Sequence, residues 1–81
     1  MKPHIQRRSD FIGDNPIADH NDAGILVTRD GGTYKVAVEV DVDTVVQMGS
    51  TEDKDQAGAL VKELVPCIHE IRERYSRCFP D

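Results

Sequence analysis

Three histidines, two cysteines and fifteen Asp and Glu residues are the groups in this 81-residue chain that could bind a metal or move a proton. Their spacing argues against most of that chemistry. Cys67 and His69 stand two apart in a helix-like stretch. On a regular helix their side chains diverge by about 200°, too far to hold one ion. No Cys-x-x-Cys or paired-histidine spacing marks a structural zinc site. Asp19-His20-Asn21-Asp22 offers oxygen ligands but lacks the alternating acidic residues and closing Glu of a calcium loop, so it is expected to be a turn. Nucleophilic catalysis needs a nucleophile, a base and an orienting group. Cys67 with His69 fails on geometry, and neither Ser9 nor Ser50 sits in an elbow or a Gly-rich cradle. Gly31-Gly32 has no following helix to present amides to a phosphate. No enzyme, cofactor or metal site is expected.

Two charged sets remain. Glu39, Asp41 and Asp43 alternate along one face of a predicted strand, with Cα spacings of roughly 7 Å. Such a row could bind magnesium, or simply solvate a sheet face and discourage edge pairing. Its functional version is an acidic docking face for a basic partner. The second set is Arg72, Arg74 and Arg77, with Lys2, Arg7 and Arg8 near the N-terminus. These are the candidate phosphate contacts of an alternative reading, a small nucleic-acid-binding regulator. Cations also suit the C-terminal end of a helix dipole, and Glu70–Arg74 and Glu73–Arg77 have ion-pair spacing, so the arginines need no ligand. The net charge of −5 argues against general affinity for nucleic acid or anionic membrane.

The elements that would position these groups follow from periodicity. From Thr51 to Cys78, apolar residues at Ala57, Val61, Leu64, Ile68, Ile71, Tyr75 and Cys78 step by four and three, the stripe of an amphipathic helix. Gly49-Ser50-Thr51 offers an N-cap. Pro66 removes a backbone hydrogen bond, so this helix is kinked there or broken in two; the stripe continues in phase, which favours the kink. Upstream, Gly24 to Arg29 and Tyr34 to Asp43 are β-prone runs around Asp30-Gly31-Gly32, a hairpin signal. The second run alternates strictly, with Tyr34, Val36, Val38, Val40 and Val42 on one face, so one face should be buried and the other wet. A turn on Gly31-Gly32 pairs Val27 with Val36 and Ile25 with Val38. A turn on Asp30-Gly31 shifts the register but keeps the facing. Thr44 to Met48 is expected as a third strand. The fold class is α+β: a β-hairpin or three-stranded antiparallel meander packed against one long C-terminal helix. Residues 1–23 show no sustained period and are expected to form an irregular or disordered arm, with residues 24–81 as a single small domain.

A helix from about Glu52 to Cys78 would run roughly 40 Å, longer than a three-stranded sheet. Ile71, Tyr75 and Cys78 would then overhang as an apolar interface, most simply with a second copy of the chain. The rival cover is the arm, through Phe11 and Ile12. Cys67 and Cys78 lie too far apart on one helix for an intrachain disulfide. They are expected as buried free thiols, or as an intermolecular bridge in a dimer. No apolar run is long enough for a signal peptide or a membrane span, so a cytoplasmic protein without membrane contact is expected. The function expected is that of a homodimeric, non-enzymatic interaction module. It would inhibit or regulate another protein, such as a basic nucleic-acid-binding partner, in the manner of a mobile-element accessory protein.

Overall fold

The computed structural model describes residues 4–75. Five antiparallel strands form one sheet, in the order β1-β5-β4-β3-β2. The strands are β1 (His4–Arg7), β2 (Ile17–His20), β3 (Ile25–Asp30), β4 (Thr33–Asp41) and β5 (Thr44–Thr51). A short helix α1 (Arg8–Ile12) separates β1 from β2. The chain ends in α2 (Lys54–Leu64), a 3₁₀ turn (Val65–Cys67) and α3 (Ile68–Tyr75).

The expected meander is the centre of this sheet. Val27 pairs with Val36 and Ile25 with Val38, the register of a turn on Gly31-Gly32. Gly31 has φ +62°, which glycine adopts without strain, and this lets two residues close the hairpin. Thr44 to Met48 is a strand, and it continues through Gly49 to Thr51. Strand β4 ends at Asp41, so Val42 and Asp43 form the two-residue link to β5. Val42, expected on the buried face, is 91 % exposed there.

The stretch expected to be an irregular arm supplies both edges of the sheet. Strand β1 pairs with β5 and β2 with β3, while α1 crosses beneath the sheet between them. Each strand is only four residues long, too short to show a period; backbone pairing holds β2, and β1 adds Ile5, which packs at the edge of the main core. All four side chains of β2 are exposed.

Both faces of the sheet are covered. Ile25, Val27, Val36, Val38, Val40 and Val46 pack under Ala57, Leu64, Ile68 and Ile71 of the C-terminal helices. The opposite face, expected to be wet, holds Leu26, Ala37 and Val45 beneath Phe11 of α1, with Ile12 at the margin. Phe11 therefore is a cover, but on the face away from the long helix. The same face buries Thr28 completely, and its hydroxyl has no hydrogen-bond partner among the described residues. Thr28→Val keeps the shape and removes an unpaired polar group. It is expected to raise the unfolding free energy by about 1 kcal/mol, read from the urea midpoint.

The long helix is continuous but not uniform. Leu64, Val65 and Ile68 keep right-handed helical dihedrals, so the chain never leaves the helix at Pro66. It tightens there into one 3₁₀ turn, which accommodates the missing amide donor. The N-cap is Asp53, whose carboxylate accepts from the Asp55 amide at 2.8 Å, rather than Gly49-Ser50-Thr51. Thr51 supports that start by accepting from the Asp53 amide and donating to Gln56.

Candidate functional site

The structure converges at the end of the sheet where β2 turns into β3 and β4 ends. The Asn21 carboxamide accepts from the Ile25 amide, and the Asn21 backbone carbonyl accepts from Gly24. This Asx-type turn is what Asn followed by Asp-Ala-Gly favours. Gly24 has φ +91°, and a Cβ there would run into the Arg72 guanidinium. Glycine is therefore required twice over, for backbone conformation and for space. The Gly24 carbonyl accepts from the Glu39 amide at 2.8 Å, closing the turn onto β4.

Arg72 reaches across from α3 into this corner. Its Nε donates to the Glu39 carbonyl at 3.0 Å and its Nη2 to the Ala23 carbonyl at 3.1 Å. The flat guanidinium fork thus ties the end of the helix to one carbonyl of β4 and one of the β2–β3 turn. On the α1 side of the sheet, the Glu39 carboxylate meets a histidine ring and an arginine. The His20 ring, through Nε2, bonds to Oε1, and Arg8 Nε lies 3.6 Å from Oε2. Glu39 consequently joins the central strand to an edge strand and to α1.

Between these groups lies an open cleft of about 570 Å³. Glu39, Val40 and Arg72 line it together with the β2–β3 turn, and Asp22 and Asp41 also border it. Both aspartates are exposed. Neither forms an ion pair with a described residue; Asp41 only accepts from the Val42 amide. Two solvated carboxylates facing one hollow, beside a carboxylate already paired, attract a cation without requiring one. Among the described residues, no three His, Cys, Asp or Glu side chains gather closely enough to hold a metal ion.

The residues singled out from sequence are redistributed. Ile71 is buried at 8 % exposure and Tyr75 is half-buried against the same core, so neither overhangs the sheet; Cys78 lies outside the described residues. The reason is length. Ile71 stands seventeen residues after Lys54, about 26 Å along the helix, and β4 alone runs about that far. Cys67, expected to be buried, is an exposed free thiol. Of the acidic row, Glu39 is paired, Asp41 borders the cleft, and Asp43 sits in the exposed β4–β5 turn. The Asp43 carbonyl accepts from the Arg8 amide. Of the arginines, Arg72 serves backbone carbonyls, Arg74 is exposed beside Glu70 and Glu73, and Arg77 lies outside the described residues. His20, Asp22 and Gly24 join the site through the turn rather than through any chemical motif.

Among the described residues, no helix is long and apolar enough to cross a membrane. Comparison with protein-family models, curated proteins and solved structures finds no match to this chain.

Proposed function

We propose that this protein is a non-enzymatic interaction module that regulates or inhibits a partner protein by receiving a basic side chain in the cleft at the β2–β3 turn. The observation that carries the reading is the pairing pattern of its acids. Glu39 is paired with His20 and Arg8, whereas Asp22 and Asp41 border the hollow with no cationic partner among the described residues. The acidic surface expected along β4 is thereby narrowed from Glu39, Asp41 and Asp43 to Asp22 and Asp41. The net charge of −5 favours the same class of partner, since complementary charge speeds encounter and rejects acidic competitors. Self-association through the C-terminal helix has less support, because Ile71 and Tyr75 pack on the protein's own sheet.

The reading is tested by selecting linear peptides from a displayed random library against the immobilised protein. Enrichment of Arg or Lys is expected, with affinity that falls as salt rises. The double variant Asp22→Asn/Asp41→Asn is expected to lose about three- to tenfold in affinity, mostly through a slower on-rate. Neutral or acidic selected peptides, or unchanged binding by the double variant, would overturn it.

A further inference from the structure

Among the described residues strand β2 is an edge, paired only with β3, and the proposed cleft begins where it ends. The outward peptide groups of an edge strand are a template for another chain. Beside it, on the face covered by the long helices, lies a slot of about 220 Å³. Val27 and Tyr34 of the sheet and Ala57 and Val61 of α2 give it apolar walls. Gly58 opens it further, since a Cβ at that position would meet no atom within 4 Å. On the strand side both Ala18 and Asp19 line the slot. Neighbours in a regular strand point to opposite faces, so this depends on the register shift between Ile17 and Asp19.

We infer that the edge of β2 receives an extended segment of a partner protein as a sixth strand, with an apolar side chain in the slot and a basic side chain at the acidic cleft. This rests on the cleft reading above and adds the backbone geometry of the partner. The occupant's chemistry follows from the two hollows and the strand between them. Asp19 borders the slot and Asp22 the cleft, three positions apart across the start of the β2–β3 turn. The apolar and basic residues of the partner therefore stand a few positions apart. Main-chain pairing supplies affinity and the two pockets supply selection, the usual division in strand addition.

The same peptide selection tests this separately from the cleft. Selected peptides are expected to carry an apolar residue a few positions from Arg or Lys. Gly58→Leu, which fills the slot and replaces a helix-interior glycine, is expected to weaken their binding about tenfold or more while the protein stays folded. Methylating the peptide amides that face β2 is expected to abolish binding, and bound peptide is expected to slow amide exchange at residues 17–20. Retained binding by Gly58→Leu, together with loss in Asp22→Asn/Asp41→Asn, would overturn strand addition and leave the cleft reading standing. Retained binding by both variants would overturn both. A selection yielding no peptide, or protection confined to other strands, would also overturn the strand.

Discussion

Phe11→Ala is expected to lower the unfolding free energy by about 3–5 kcal/mol, the range for removing a buried aromatic side chain. Phe11 is 3 % exposed and is the one large side chain over Leu26, Ala37 and Val45 in the second core cluster. Little else among the described residues can close the gap, because Ala37 is small and Ile12 lies only at the margin. The loss spreads through the backbone. Helix α1 has five residues, and its N-cap makes no side-chain hydrogen bond, so its position depends on this contact. Strands β1 and β2 flank it on either side. Urea unfolding should show the lower midpoint, and amide exchange should show β1 and β2 losing protection before β3, β4 and β5. A loss below about 1 kcal/mol with an unchanged exchange pattern would mean that α1 does not hold the two edges.

Arg72→Ala is expected to cost about 2–4 kcal/mol. It removes two charge-assisted hydrogen bonds and leaves the half-sheltered carbonyls of Ala23 and Glu39 without their donors. The comparison with Arg72→Lys is the sharper measurement. A single ammonium cannot present two donors in the fixed fork that the two carbonyls require, so lysine should recover less than half of the loss. Were charge alone the contribution, lysine would restore nearly all of it. The same substitution should loosen the β2–β3 turn, because Gly24 and Arg72 occupy adjoining space.

The parts of this structure legible in the sequence are those where one residue pattern repeats. Alternation from Tyr34 to Val40 marks β4, and Asp30-Gly31-Gly32 marks the hairpin and its facing but leaves two registers, of which the structure has the turn on Gly31-Gly32. The four-three stripe from Ala57 to Ile71 marks the helix and its buried side. Less visible is anything held by pairing across distance. The four residues of β1 carry no period, yet they align with β5 from His4↔Gln47 to Arg7↔Thr44. Ala37 looks like a neutral residue on a wet face, and only the position of Phe11 buries it. The site has the same character. The turn expected on Asp19-His20-Asn21-Asp22 lies on residues 21–24 instead, with Asp19 and His20 in β2, and nothing local indicates that Arg72 will fill its back or that His20 and Arg8 will share Glu39. Charge rows along one strand mislead when a partner from another element pairs with one member of the row.

The pairing of β1 with β5 also sets an order of events during synthesis. His4 leaves the ribosome about forty residues ahead of Gln47, its partner in the finished sheet. At about 5–20 residues per second that is a wait of roughly 2–8 s. Strands β2, β3, β4 and β5 pair with sequence neighbours and can zip together as each appears, whereas β1 closes the sheet last. Until β1 docks, the outer side of β5 is uncovered, and a neighbouring nascent chain that met it then could pair at that strand.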